Sequence, residues 1–418
     1  MRRMTTTSTP ASGPLSSEAL ASGAIAPEPL TRQLSHQVSQ SVFDGSRLRV
    51  VLLVEVYDGA QQQFLETYEN LRSHVESVPG HLGEQLCQSI ENPSQWLITS
   101  EWESAPPFLN WVSSEEHVRM VKPLHSCVRD TRSLRFHVVR ETGHPSTGAD
   151  PARGGLQAAP RVGDGVIRHA LTFTVKPGSE EAVGKILADY ASPEPQVDDT
   201  TRLCRTSLFL HGNRVVRAIE VRGDLLAALR HVAEQPEVRA VEEAINPYLE
   251  QDRDLGDPES ARVFYTRAAL PAVHHVTAGE GQDGAQRHAL SYPARPGCGM
   301  RLAQLLAERD EAAARDPRSP VLCSTIFQRD DVVVRLVDVR GDLHEGDPAV
   351  TLGLPDPGRV SELTTLLDGF TDAGSPTGGG LVRALEGARM ELVTDRRACG
   401  PRGQLTSARC SRRRAGTG

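Results

Sequence analysis

The three tryptophans of this chain fall in one short run, WLITSEWESAPPFLNW, which sets Trp96, Trp102 and Trp111 just ahead of His117 and His125. Indole rings stack on flat aromatic molecules and donate an N–H, while imidazole takes or gives a proton near neutral pH. Alternation puts Trp96, Ile98, Ser100 and Trp102 on one face of a strand. Trp102 is the candidate for stacking and N–H donation, with Trp96 beside it, unless these are core residues. Trp111 occupies an apolar helix position beside Phe108, where substrate contact competes with ordinary packing. His117 and His125 are candidate bases or donors; the competing reading of a lone histidine is a surface or capping residue. His81 follows the Val78-Pro79-Gly80 turn as a further histidine.

A second set recurs. Arg217 and Arg335 stand at equivalent positions in otherwise apolar strands, opposite Glu220 and Asp338 on the other face. His169 and His288 recur at the preceding strands. A charge amid Val and Ile must find a partner or water. The two arginines either line a cavity between sheets, where a guanidinium suits a phenolate or carboxylate, or form structural ion pairs.

The elements that would position these residues come from periodicity. RHALTFTVKPG (168–178) and RHALSYPARPG (287–297) open two similar segments. Each continues with a helix and two strands around a polar turn, His211-Gly212-Asn213 or Arg329-Asp330-Asp331. VRGDL closes each hairpin, at 221–225 and 339–343, and the second helical region follows. The final strands are expected at ARVFYTR (261–267) and ARMELVT (388–394). That order is β-α-β-β-α-β, the ferredoxin-like split unit, and its recurrence indicates duplication. The same order holds around LRVVLLVEV (48–56), a helical stripe from Phe64 to Val78, a hairpin across Glu91-Asn92-Pro93, helix around 105–127, and SLRFHVVR. The fold class is therefore α+β, with three tandem ferredoxin-like modules. One bare sheet face per module must be covered by another sheet, in dimeric α/β barrels.

VRGDL contains an adhesion tripeptide, but nothing else points to an exposed loop on a secreted protein. It reads as a strand-to-helix junction, with glycine for the sharp exit and Asp224 or Asp342 as N-cap. The corresponding EWESA in the first segment offers Ser104 as the cap.

Composition sets the frame. Residues 1–45, rich in Ser, Thr, Pro and Ala, read as disordered. Modules then span 46–140, 166–276 and 287–398, joined by polar linkers at 141–165 and 277–286, with a disordered basic tail at 399–418. The net charge of −8 argues against a phosphate-binding surface. No run of about 18 apolar residues is present to span a bilayer. The twin arginines at the N-terminus lack the apolar stretch of a secretory signal. Seven cysteines show no metal-ligand spacing, which fits reduced thiols in the cytoplasm and no metal site.

The stretch VPGHLGEQLCQSIENPSQWLITSEWESAPPFLNWVSSEEH (78–117) resembles the antibiotic biosynthesis monooxygenase family over about 48–140. DVVVRLVDVRGDL and LVTDRRA, in the later segments, resemble the SchA/CurD-like family of actinomycete aromatic polyketide and spore-pigment pathways. These resemblances imply oxygenation of a phenolic or anthrone-type polyketide to a quinone, with dioxygen as co-substrate and no metal, flavin or haem. They leave open a polyketide cyclase, or an accessory protein that binds the polyketide or a partner oxygenase. They also imply a small-molecule partner and a homodimer or partner pathway enzyme, without nucleic acid or membrane. Trp102, His117 and His125 are the catalytic candidates. Trp96, Trp111, His169, Arg217, His288 and Arg335 are the substrate-binding candidates. Anthrone-oxidising members carry an asparagine where this chain has Ile98, and haem-degrading relatives carry a histidine where it has Val121.

Overall fold

The computed structural model describes residues 38–139, 163–189, 191–278, 284–341, 357–368, 387–398 and 405–407. A short strand, β1 (Ser39–Ser41), is followed by a separate four-stranded sheet. That sheet is made of β2 (Leu48–Val56), β3 (His81–Gln88), β4 (Gln95–Trp102) and β5 (Val128–His137), in the antiparallel order β3-β4-β2-β5. The order is that of a ferredoxin-like split unit. Helices α1 (Gln61–Val75), α2 (Ala105–Ser113) and α3 (Glu115–Val121) cover one face.

Alternation decides which residues that face buries. Leu48, Val50, Val54 and Val56 of β2, with Trp96, Ile98, Ser100 and Trp102 of β4, point inward against Phe64, Tyr68 and Val75 of α1. The outer face carries Val51, Leu53, Leu97, Leu134 and Phe136 by register. Leu53 and Phe136 are 43% and 51% exposed, so among the described residues this face is bare.

The rest of the chain forms one large antiparallel sheet. Its first half contains β6 (Val166–Thr174), α4 (Glu180–Asp189), β7 (Arg202–His211), β8 (Arg214–Arg222), α5 (Leu225–Glu234), α6 (Pro236–Ile245), α7 (Pro258–Ala268) and β9 (Ala269–Thr277). Its second half contains β10 (Gln286–Pro293), α8 (Gly299–Arg315), β11 (Val321–Arg329), β12 (Val332–Val339), α9 (Pro357–Leu366) and β13 (Glu391–Ala398). The order is β10-β12-β11-β9-β6-β8-β7-β13, so each half lends its fourth strand to the edge of the other half's second strand. A bridge between Leu290 and Arg389 and the bond from Met390 N to Ala289 O (2.9 Å) bring the two ends together. The result is a nearly closed barrel within one chain. Its lumen is filled by Ala170, Phe209, Val216, Ala218 and Leu270 against Ala289, Phe327, Val334, Leu336 and Met390.

Several sequence expectations change. The segment 261–267 is not the closing strand of its half but the body of α7, which buries Phe264 and Ala268. The strand is β9, hidden in the sequence by Pro271, which cannot donate to a ladder. Pro271 sits at the end of the β6 pairing, where β9 passes to β1 as neighbour. Within 1–45, Ser39–Ser41 is ordered as β1 against β9, and the preceding residues to 37 lie outside those described. In the tail, β14 (Leu405–Ser407) pairs with β13. Most of the linker at 141–165 lies outside the described residues, while 277–286 begins in β9 and ends in β10. Val42 and Leu109 each touch both the N-terminal core and that of the second barrel half, tying the sheet to the barrel.

The first VRGDL copy behaves as a junction. Asp224 Oδ1 accepts from Ala227 N at 2.9 Å and caps α5. Gly223 has φ +97°, and a Cβ there would meet Thr200 O at 2.5 Å and Thr201 Cα at 2.7 Å. Asp342 lies outside the described residues. Ser104 stands at the N-cap of α2 but makes no side-chain capping bond; Pro106 and Pro107 follow it in the first turn and reduce the number of donors to be capped. Gly223→Ala is expected to lower stability by roughly 2 to 4 kcal/mol, through left-handed strain plus the backbone clash. Urea unfolding monitored by circular dichroism measures this, and an unchanged midpoint would remove the junction role.

Candidate functional site

The inward row of β4 and the first turns after it gather the aromatic candidates. Trp102 and Trp111 stack with ring centroids 5.7 Å apart and planes 27° apart. His81 and Phe108 meet Trp102 edge-on at 5.1 and 5.5 Å. His117 meets the edge of Trp111 at 4.2 Å. Local structure explains the arrangement. Ser114 Oγ accepts from His117 N at 3.1 Å and starts α3 one turn before the imidazole. Gly80, at φ +85°, turns the chain into β3 so that His81 faces Trp102.

Trp102 itself is fully buried, and its Nε1 donates to Ser100 Oγ at 3.0 Å. It therefore cannot be the stacking surface expected from the sequence; it is the floor on which Trp111 rests. Trp111, His117 and His81 are the partly exposed members. Burial pushes the His117 imidazole down to about 4, so it is neutral at physiological pH. Its Nδ1 has no hydrogen-bond partner among the described residues, and neither do His81 Nε2, Trp96 Nε1 or Glu84 Oε1.

Glu84 was not singled out by sequence, nor was Tyr68. Glu84 registers with Ser100 on the inward face, and Tyr68 comes from α1. Burial and a hydrogen bond to Glu84 push the Tyr68 hydroxyl up. The available signal was the β3 alternation that carries Glu84 inward beside Leu86. Arg135, also inward by register, lies over the Phe108 ring at 5.3 Å. Trp96 packs on Phe64 at 5.4 Å in a neighbouring cluster of the same module. Ile98 is buried in the row between the two strand tryptophans.

His125 is not brought to this group. It lies in the short 3-10 turn Lys122–Ser126 and is exposed, whereas Leu124 and Cys127 on either side turn inward. The barrel candidates are also elsewhere. Arg217 and Arg335 point away from the lumen, under the helices, because their strands bury alternate residues on both faces. Arg217 pairs with Glu242 of α6 at 2.6 Å, and Arg253 holds the other Glu242 oxygen at 2.6 Å. Arg335 forms a charged pair with Asp310 of α8, fully buried on both sides. These are structural ion pairs, not cavity-lining cations. His169 and His288 share that outer side by register with Ile219 and Val337, and burial pushes His169 down to about 4.

The residues opposite them fill one end of the lumen. Arg205 makes a two-pronged contact with Asp395 (2.8 and 2.6 Å) and reaches Asp338 at 3.0 Å. Arg287 makes a second fork with Asp338 (2.9 and 2.8 Å) and meets Glu220 at 2.8 Å. Among the described residues no group of three or more His, Cys, Asp or Glu is placed to hold a metal ion, and no helix is long and apolar enough to cross a membrane.

Comparison with known proteins adds to this geometry. Residues 166–278 and 285–350 match the SchA/CurD like domain, and residues 47–123 match Antibiotic biosynthesis monooxygenase. The chain is 62% identical over 371 residues to Polyketide synthase CurD of Streptomyces cyaneus, spanning 88% of this chain and 99% of that one. It is 59% identical over 366 residues to Protein SchA of Streptomyces halstedii, spanning 87% and 96%. It is also 59% identical over 368 residues to the 42.8 kDa protein in the whiE locus of Streptomyces coelicolor, spanning 87% and 91%. Among solved structures, SnoaB, a cofactor-independent oxygenase from Streptomyces nogalater, is 13% identical, with a TM-score of 0.22 over 24% of this chain and 99% of that one.

The depressed His117 has a stability consequence. Its folded value, about 4, lies below the ordinary 6.5, so the unfolded chain binds more protons between those limits. Its contribution is full above about 6.5 and is lost as pH falls towards about 4. Discounted for partial exposure, the loss is on the order of 2 kcal/mol. His117→Gln is expected to flatten that acid limb in urea titrations across this range. An acid limb identical to that of the wild type would place the imidazole in water.

Proposed function

The chain belongs to the SchA/CurD-like family, and on that premise we propose that it oxygenates a phenolic or anthrone-type aromatic polyketide in its N-terminal module. The observation that carries this reading is the neutral His117 on the edge of Trp111, itself stacked on Trp102. An accessible indole offers a flat surface to fused rings. A neutral imidazole accepts a phenolic hydrogen bond, which an imidazolium cannot.

The chemistry needs little more from the protein. The phenol donates a hydrogen bond to the neutral His117 imidazole, and its proton moves onto that nitrogen as the ring gives one electron to dioxygen. A base lowered to about 4 does not hold a free phenolate at rest. The substrate radical and superoxide combine, and the proton returns from the imidazolium to give a hydroperoxide at the activated ring carbon. Loss of water leaves a carbonyl, so one oxygen atom enters the quinone and the other leaves in water. The substrate supplies the electrons, and dioxygen is the only co-reactant. His81 and Glu84, each with a buried atom that has no partner among the described residues, supply further polar contacts within the module. The free thiols of Cys87, Cys127, Cys204, Cys298 and Cys323 support a cytoplasmic setting.

A second copy supplies the covering sheet. The bare face with Leu53 and Phe136 is bounded by two open edges, β3 and β5, which are the second and fourth strands of the module. The barrel shows how such edges close, by fourth strand on second. A homodimer through the N-terminal modules repeats that solution between chains.

With an anthrone and labelled dioxygen, one labelled oxygen atom is expected in the quinone. Trp111→Ala and His117→Ala should each reduce turnover about 100-fold, and His125→Ala should leave it unchanged. A product mass independent of oxygen would overturn the oxygenase reading in favour of cyclisation. Activity that appears only with a second protein, unchanged by both variants, would assign an accessory role.

Sedimentation equilibrium should give a dimer at micromolar concentration, and Leu53→Glu with Phe136→Glu a monomer. A monomeric wild type would rule out the second copy on this face.

A further inference from the structure

One end of the barrel holds a cleft that the reading above does not use. Four antiparallel steps separate β7 from β11, so the hairpins 211–214 and 329–332 turn at the same end. Beside the second hairpin, between the end of β6 and α7, lies a cavity of about 200 Å³. Leu270 and Val332 in its wall belong to the packing of the apolar lumen, so the cleft continues that apolar half outward. Phe173 and Phe264 add aromatic surface.

The charge of this cleft is one-sided. Arg214, Arg267 and Arg329 line it, against the single carboxylate of Asp330. Arg329 is occupied: it donates to Arg267 O at 3.2 Å and also to Thr266 O, the last carbonyls of α7. Among the described residues, the Arg214 guanidinium has one hydrogen bond, to Thr172 Oγ1 at 3.2 Å, and no carboxylate within ion-pair distance. Burial holds its guanidinium below the usual range, with only Glu250 acting against that. A desolvated cation left this way is costly unless a ligand completes it.

The repeat shows that the barrel does not require this arginine. Arg214-Val215-Val216-Arg217 in one half corresponds to Val332-Val333-Val334-Arg335 in the other. The arginine three residues further along recurs with a carboxylate partner in both halves, whereas Arg214 has a valine counterpart. The cleft is a one-sided addition to a duplicated scaffold.

We propose that this cleft binds a planar aromatic anion one or two fused rings wide, with its carboxylate or phenolate on Arg214. The ring then lies beside Phe173 on the apolar wall, and Arg267 faces the open side. As a site for the natural substrate or product, this rests on the polyketide reading; the binding chemistry does not. Two-ring acids fit the volume, and larger fused systems project out of the mouth.

The full chain allows a clean test, because all three tryptophans lie in the N-terminal module. Equilibrium dialysis with 2-naphthoate measures total binding, and tryptophan emission reports only the N-terminal module. Naphthoate should bind the wild type without quenching. Arg214→Gln should weaken it about tenfold or more, the loss expected for one charge-assisted contact. Arg214→Lys should retain part of the affinity, and neutral 2-naphthamide should bind weakly and equally to all three. Thermal melts confirm that the variants fold. Equal naphthoate affinity for wild type and Arg214→Gln, or naphthamide as tight as naphthoate, overturns the proposal. Binding that quenches tryptophan and survives Arg214→Gln places the ligand in the N-terminal module, which also overturns it. Failure of oxygen uptake with intact cleft binding sinks the oxygenase reading alone.

Discussion

A ferredoxin-like sheet has two faces and covers only one with its own helices; everything else in this chain follows from how the second face is hidden. In the C-terminal two-thirds the answer is intramolecular. Each half keeps its fourth strand beside its own first strand and lays it also on the edge of the other half's second strand, so the two enclose a common lumen. The lumen is not uniformly apolar. Arg205 from one half is held by Asp338 and Asp395 of the other, while Arg287 reaches back to Glu220. Removing such charges from water costs several kcal/mol per ion, recovered only when each finds close and directional partners. Here three of the four pairs join opposite halves, and only Arg287 with Asp338 lies within one. The network therefore penalises any shift in register between the halves more sharply than the apolar contacts around it.

Duplication and divergence can be separated at single residues. Arg217 and Arg335 hold the same strand position, and both are neutralised beneath helices. The acid comes from α6 in one half and from α8 in the other. A buried guanidinium constrains the sequence to supply a carboxylate somewhere above it, not at a fixed place. Hence the arginine is the recognisable part of the repeat and its partner is not. The same logic accounts for the histidines: His169 and His288 recur because their strand positions recur, on the helix side of the sheet.

The strand and helix pattern was legible because alternation and helical stripes depend on local sequence. The wrapping of β4 around Trp96, Ile98, Ser100 and Trp102 followed from period two alone. What was not legible depended on distant partners. Pro271 disguised β9 because a ladder position without a donor reads as a break, yet here it marks the passage from β6 to β1. Pairing across the halves cannot be read from one segment, since the pattern of β13 says nothing of its second neighbour, β7 of the other half. The site was legible as a cluster of aromatic residues but not as a surface. Which indole is exposed depends on α2 and on the Ser100 hydroxyl that takes the Trp102 N–H. Glu84 and Tyr68 escaped notice because one looked like a solvated strand residue and the other like part of a helical stripe.

The contrast between the two parts bears on where chemistry can occur. The polar groups of the charged lumen end are held in forked bonds, and such groups are expensive to rearrange for a substrate. The N-terminal module has the opposite character. Among the described residues, His81, Glu84, Trp96 and His117 each keep a buried atom without a partner in one small sheet-and-helix interior. A protein interior normally satisfies nearly all such atoms. Leaving several of them open in one module, beside a stacked pair of indoles, costs stability. The charged end of the lumen spends its polar side chains on the barrel's own assembly, whereas these four atoms of the module, like His275 Nε2 elsewhere in the barrel, have no partner among the described residues.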